Sequence, residues 1–221
     1  MEGLREKTAR ILNLLQSAYG IPEWPLLLKP LDELISTILS QNTNDHNRDV
    51  AFTRLKDRFP TWEEALSCPV DQIIDAIRPA GLANQKAIRI QQILQAIKNE
   101  TGGLDLEFLK GYSPQETHDW LIKFNGVGLK TVAIVMLFSL GMPAFPVDTH
   151  VHRVTQRLGL ISEKDTADQA HGILAGLIQP QQYSTAHLNL IRLGREVCHP
   201  RNPECSACPV RTECDFIKTS G

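Results

Sequence analysis

Long apolar runs are missing from this sequence. The longest extends from Val132 to Phe138, between Lys130 and Gly141, well short of the roughly 20 residues that a membrane span requires. Period-two alternation of apolar and polar residues is also scarce, which argues against sheet. There is no internal repeat and no low-complexity tract. Cysteine is sparse and unevenly placed. Of five cysteines, four lie between Cys198 and Cys214, whereas a secreted disulfide framework spreads an even number along the chain. Cys68 stands alone and is expected to be an inert, half-buried thiol. A large charge of one sign is missing as well: the net charge is −2, which taken alone argues against a nucleic-acid partner.

What is present fits a packed chain. With 221 residues, 42% hydrophobic and 22% charged, one larger domain or two small ones can bury a core. The N-terminal stretch MEGLREKTARILNLLQSAYG carries charges of both signs and reads as an amphipathic helix rather than a signal peptide, so the cytoplasm is expected. The charges are unevenly distributed. Residues 76–99 hold Arg78, Lys86, Arg89 and Lys98 and no acid, and residues 121–160 hold Lys123, Lys130, Arg153 and Arg157 against Asp148. A basic strip on an otherwise acidic chain suits a phosphate backbone, and solvated helix faces account for it equally well.

Helical patterning runs nearly throughout, and the expected fold class is all-α. Leu4, Ile11, Leu12 and Leu15 mark a first helix, and residues 31–39 a second, strongly apolar one. Short helices follow over 50–59, 62–67 and 70–77. Residues 85–98 form an amphipathic helix, with Ile88, Ile90, Ile93 and Ile97 on or near one face. Ser113-Pro114-Gln115-Glu116 is a capping box with proline at the first helical position, opening a helix that runs to about Lys123. Another helix begins after Gly128 and continues through VAIVMLFSL; apolar all round, it belongs at the centre of a core. Further helices start near Asp148 and cover 165–178.

FNGVGL joins two of these helices by an unusually short link. Gly126 and Gly128 permit positive φ and the close approach of another backbone, and the free amides of the following helix suit a phosphate. This is the logic of a helix-hairpin-helix element, which grips DNA by its backbone without reading bases. An ordinary helix–helix turn with a glycine C-cap has the same spacing. Lys130 follows in the first helical turn. The positive end of the helix dipole and burial both disfavour its charged form, and a neutral amine can attack carbon and form a Schiff base; the alternative is a surface lysine on phosphate. Asp148 opens VDTHVHRV as an N-cap or as a catalytic carboxylate, two roles that one residue can combine. His150 and His152, two residues apart on a helix, point to different faces, which disfavours a metal site with Asp148.

The remaining signal is CHPRNPECSACPVRTEC, with C-x6-C-x2-C-x5-C spacing through Cys198, Cys205, Cys208 and Cys214. Four thiolates hold Zn2+ or an iron–sulfur cluster. Zinc favours two separated C-x2-4-C pairs. One C-x2-C flanked by wider gaps in a single loop leans toward [4Fe–4S] and leaves zinc open.

Taken in order, FNGVGLKTVAIV, PAFPVDTHVHRVTQRLGL and the cysteine pattern resemble the endonuclease III family, bifunctional DNA glycosylase/AP lyases of the helix-hairpin-helix superfamily. ILSQNTND and AGLANQKA resemble that family's DNA-facing loops, so the likeness covers nearly the whole chain. It implies two all-α domains with a DNA-binding cleft between them: a six-helix domain over 24–142, carrying the helix-hairpin-helix element, and an iron–sulfur domain from 1–23 and 143–221. It implies a structural [4Fe–4S] cluster on the four cysteines, a monomer, and a nucleoid-associated enzyme whose partner is duplex DNA containing a damaged base or abasic site. The implied activity is base-excision repair: release of oxidised pyrimidines and nicking 3′ to the lesion by β-elimination.

Carried over by position, Lys130 matches the family's nucleophile and Asp148 its carboxylate. The target nucleotide is flipped out of the stack, Lys130 attacks C1′, and Asp148 stabilises the oxocarbenium charge or takes the lysine's proton. Gly126, Val127 and Gly128 match the hairpin. A family glutamine that fills the hole left by the base aligns with Asn42, with Gln41 adjacent, and Leu82 matches an apolar wedge between bases; ordinary core is the alternative for Leu82. Arg201 and Arg211 in the cysteine loop are placed to touch phosphates. Two departures stand out: Asn42 itself, and Asn125 where the family usually has proline. The rival readings are a mismatch-specific or adenine glycosylase of the same superfamily, a non-catalytic DNA-binding module, and a zinc-stabilised helical protein. The first lacks a lysine at the position of Lys130, and its adenine enzymes carry a further C-terminal domain whereas this sequence ends at Gly221. The second has no use for both Lys130 and Asp148.

Overall fold

The computed structural model describes residues 2–22 and 28–219. Among these the helices run α1 Glu2–Tyr19, α2 Pro30–Leu39, α3 Asp45–Arg58, α4 Trp62–Ser67, α5 Val70–Ile77, α6 Ala83–Thr101, α7 Pro114–Ile122, α8 Leu129–Ile134, α9 Thr149–Arg157, α10 Ala167–Leu177, α11 Tyr183–Glu196 and α12 Asp215–Thr219. The described residues contain no strand, and no helix is long and apolar enough to cross a membrane. The chain divides into two compact units, one of Met1–Leu26 with Met142–Gly221 and one of Leu27–Gly141. The domain boundary expected at 23–24 lies outside the described residues.

In the unit Leu27–Gly141, α2 is the central pillar. Proline at its first position and Asp32 and Glu33 in its first turn suit a helix start. Leu31, Leu34, Ile35, Ile38 and Leu39 are all buried, where α2 packs against α3, α6 and α8. Each such side chain contributes about 1.5–3 kcal/mol when fully buried. α8 is buried from Thr131 onward and runs into a single π turn over Val135–Ser139, the Leu140 amide reaching back to the Val135 carbonyl at 3.2 Å. Its all-round apolarity thus places it in the core, as expected.

Some elements differ from the sequence reading. α3 starts at Asp45, not near residue 50, because Asn44 caps it: its Oδ1 accepts the Asn47 amide at 2.8 Å. Ile88 does not share the buried face of Ile90, Ile93 and Ile97; it is 49% exposed. α11 was not anticipated, since Ser184, Thr185, Asn189 and Gly194 dilute its pattern with weak helix formers. Packing supplies what propensity lacks. Tyr183, Ala186, His187, Leu190 and Leu193 are buried, and Gly194 lets α9 approach: a Cβ there would lie 2.9 Å from the His150 Cβ. α1, α9, α10 and α11 pack together in the unit formed by the two chain ends.

Candidate functional site

The hairpin closes after α7 through the Phe124 amide to the Leu121 carbonyl at 3.3 Å and the Val127 amide to the Phe124 carbonyl at 3.0 Å. Its two glycines are not equivalent. Gly126 has φ +81, and a Cβ on it would come within 2.2 Å of Arg89 Nε. Gly128 has φ −100 and ψ 177, extended backbone open to any residue, so the expectation of positive φ at both is corrected to one. Gly128 is the N-cap of α8 with no capping side chain, and a Cβ on it would meet nothing within 4 Å. The first amides of α8 therefore have no side-chain cap at that end. Val127 is buried beneath the turn. Lys130, the second residue of α8, is half-buried, with Nζ 3.5 Å from Ser40 Oγ.

Two loops flank this turn within the same unit. Gln41 is half-buried; its Nε2 donates to the Gly126 carbonyl at 3.2 Å and its Oε1 accepts from Arg89 Nη1 at 2.7 Å. Gln41 thus braces the hairpin, whereas its neighbour Asn42 is exposed with φ +54. Leu82, before α6, has φ +49 and is 50% exposed, so the ordinary-core alternative fails. Asn42, Leu82 and Asn202 are the non-glycine residues with positive φ among those described. Asparagine tolerates this region; for leucine it costs about 1–2 kcal/mol.

The basic strip read from the sequence is only partly a free surface: Lys98 and Arg78 are exposed, but most of its other cations are buried or engaged. Lys86 is buried, Arg89 is engaged with Gln41, Arg78 pairs with Asp75 at 2.8 Å, and Lys123 pairs with Glu100. Sequence reasoning also missed Glu33. Its carboxylate is buried and accepts from Thr37 Oγ1 at 3.2 Å. Burial raises its pKa, against the pull of that hydrogen bond and of the Arg48 and Lys130 cations. No local motif marks it; only its place on the otherwise apolar α2 does.

In the unit of the chain ends, Asp148 is the half-buried N-cap of α9, its Oδ1 accepting the Val151 amide at 2.8 Å. His150 Nδ1 meets Arg153 Nη2 at 3.2 Å and His152 Nε2 meets the Asp165 carbonyl at 2.8 Å, on separate partners. Arg153 and Arg157 of α9 hold the cysteine loop. Arg153 donates to the Cys198 carbonyl at 3.0 Å and the Gly194 carbonyl at 2.7 Å. Arg157 donates to Cys198 Sγ at 3.3 Å, the His199 carbonyl at 2.7 Å and the Pro200 carbonyl at 3.0 Å. α1 adds a two-pronged Arg10–Glu213 pair at 3.1 Å and Lys7–Asp215 at 2.7 Å.

Cys198, Cys205, Cys208 and Cys214 are all free of disulfides. Burial and the three neighbouring cysteines push the Cys208 thiol up, against a backbone hydrogen bond that lowers it. Among the described residues no group of three or more His, Cys, Asp or Glu side chains is arranged to hold a metal ion. Arg201 and Arg211 are exposed. Cys68 is half-buried, with its Sγ 3.4 Å from the Ala65 carbonyl.

Residues 35–180 match the family model described as HhH-GPD superfamily base excision DNA repair protein. An endonuclease III of Thermotoga maritima is 32% identical over 192 residues, 87% of this chain and 85% of that one. A protein of Arabidopsis thaliana, provisionally named a DNA glycosylase, is 45% identical over 139 residues, 63% of this chain; the match spans about half of that longer relative, 47%. Among solved structures, a trapped endonuclease III–DNA covalent intermediate with an estranged adenine superposes with a TM-score of 0.84 at 27% identity, covering 98% of both chains. The chain belongs to the HhH-GPD superfamily of base excision DNA repair proteins and, within it, to the endonuclease III family.

Proposed function

We propose that this protein is a bifunctional DNA glycosylase/AP lyase that removes oxidised pyrimidines from duplex DNA and nicks the strand, with Lys130 as its nucleophile. The carrying observation is the position of Lys130: second residue of α8, behind a hairpin whose glycine N-cap is open, with its amine near Ser40. Gly126, Val127 and Gly128 bring the α8 amides to a DNA phosphate, a contact that positions without reading sequence. Asn42 and Leu82 enter the duplex, the first filling the space of the extruded nucleotide and the second wedging the stack. Gln41 supports them from the hairpin side.

With the nucleotide extruded, the Lys130 amine forms a bond to C1′ as the bond from C1′ to the base breaks, and the base leaves with that electron pair and takes up a proton. In this reading Asp148, kept rigid by its capping bond to Val151, stabilises the positive charge that develops on the sugar or takes the proton from the lysine. Ring opening gives the Schiff base between Lys130 and C1′. Loss of a C2′ proton then expels the 3′ phosphate by β-elimination, and water releases the lysine.

Cys198, Cys205, Cys208 and Cys214 would hold a [4Fe–4S] cluster, for which four disulfide-free thiols in one arginine-pinned loop are a fitting donor set. When bound, the cluster supplies structure. Arg201 and Arg211, exposed on the same loop, are available to phosphates. A protein acting on chromosomal DNA in this way works at the nucleoid, as a monomer.

The test is borohydride trapping on a duplex with one thymine glycol. A covalent adduct with the wild type, reduced on the order of 10^3-fold or more in Lys130→Ala while DNA binding persists, is the expected result. An adduct on an abasic duplex alone would keep Lys130 and remove oxidised pyrimidines as substrate. No adduct on either would leave a DNA-binding module.

A further inference from the structure

Lys86 is only 2% exposed in the first turn of α6. A buried ammonium is costly unless its donors are satisfied. Lys86 Nζ donates to two backbone carbonyls, Leu39 and Ala80, each at 2.8 Å. Burial, with Arg89 adding to it, pulls this lysine down to about 8. Where a side chain had only to fill space, an apolar residue of the same length would serve better.

The two carbonyls explain the choice. Leu39 is the last residue of α2, three before Asn42, and Ala80 ends the turn two residues before Leu82. Each marks the point where the chain leaves regular structure for a left-handed residue. Carbonyls at such chain ends have no helical partner, and a cation is the group that suits them. One turn further along α6, Arg89 holds Gln41, so consecutive turns of this helix hold two points, Leu39 and Gln41, just before Asn42.

We propose that Lys86 is a positioning residue that clamps the two DNA-inserting loops together, so that Asn42 and Leu82 enter the duplex as one rigid unit. This rests on reading the protein as a glycosylase that opens duplex DNA. The clamp matters where a stacked pair must be opened and is idle where none exists. Lys86 variants therefore separate two activities: base release from duplex, and β-elimination at an abasic site in a single strand.

The experiment places 2-aminopurine beside a thymine glycol in a duplex and follows its fluorescence on binding, with base release and single-strand nicking measured in parallel. Lys86→Met keeps the length of the side chain and removes the donors. Its unstacking signal and its duplex base release are expected to fall about tenfold or more, with single-strand β-elimination within about twofold of wild type. Lys86→Gln, which restores two N–H donors, should recover most of the loss. Wild-type unstacking by Lys86→Met, or equal loss on both substrates, overturns the proposal. If Lys86→Met does not fold, Lys86→Gln decides alone: near-normal unstacking upholds the clamp, and loss of it in a folded protein refutes it. Backbone hydrogen exchange without DNA separates this from failure of the glycosylase reading. Should the wild type release no base, faster exchange of residues 40–43 and 80–83 together in Lys86→Met, largely reversed in Lys86→Gln, upholds the clamp, and unchanged exchange in Lys86→Met removes it; if Lys86→Gln alone folds, near-wild-type exchange of both segments upholds it and faster exchange removes it.

Discussion

The loops around the hairpin and the loop of four cysteines are held by different means. Asn42 and Leu82 sit at the ends of regular helices, next to donors on α6 that fix the backbone from within a packed core. Residues 198–214 contain only short 3-10 turns, and within them Val210 and Cys214 are the buried side chains. Arginines of α9 and the ion pairs to α1 hold that segment from outside. A segment with so little core needs a further staple. The first region thus has its geometry built into the protein, whereas the second, with the cluster proposed above, would depend on what its thiols bind.

Breaking the staple is expected to give the largest effect. Cys208→Ser should lose iron and visible absorbance and destabilise the protein by several kcal/mol, on the scale of removing a structural metal or native disulfide. Cys68→Ser is the control. That thiol is pushed up by burial and its Sγ meets the Ala65 carbonyl, so its melting curve should move by less than about 1 kcal/mol. A Cys208→Ser protein with full iron and unchanged melting would show that the loop stands without its thiols.

Leu82→Gly sharpens the other side of the comparison, because stability and function should move in opposite directions. Glycine takes φ +49 without strain, and the side chain removed is half exposed, so the variant should gain up to about 1 kcal/mol in urea unfolding. It should also lose most of the 2-aminopurine signal, since the wedge is gone. A variant that is less stable than wild type would mean that Leu82 is held for packing.

Much of this was legible in the sequence, where one local signal suffices. Gly-Val-Gly before an all-apolar run marked the start of α8 and hence the placing of Lys130. Ser113 and Glu116 marked α7, and the structure shows the same reciprocal box at Thr61–Glu64 and Thr166–Gln169. What stayed hidden depends on tertiary structure. Leucine gives no hint of positive φ, so the strain at Leu82 is invisible in AGLANQ. Lys86 in the same stretch reads as one more surface cation, because burial of a lysine is decided by carbonyls 47 and 6 residues away. Gln41 and Asn42 are equivalent side by side, and only the hairpin's acceptor and Arg89 separate them. α11 is helical because it packs on α9, not because of its composition.

The smallest effect separates the two hairpin glycines. Gly126→Ala must hold a β-carbon at φ +81 and push Arg89 away from its place beside Gln41, so it should cost about 1 kcal/mol or slightly more. Gly128→Ala meets open space at φ −100 and should leave stability within about 0.5 kcal/mol. In the proposed contact with DNA, that same openness would let a phosphate approach the α8 amides, and a methyl group there would stand in its way. Gly128→Ala should therefore weaken duplex binding by about tenfold with no change in unfolding midpoint, while Gly126→Ala loses binding and stability together. Urea unfolding and a binding titration on the same two variants decide it. Equal stability loss at both positions would mean that the turn, not the approach of a ligand, is the reason for the second glycine.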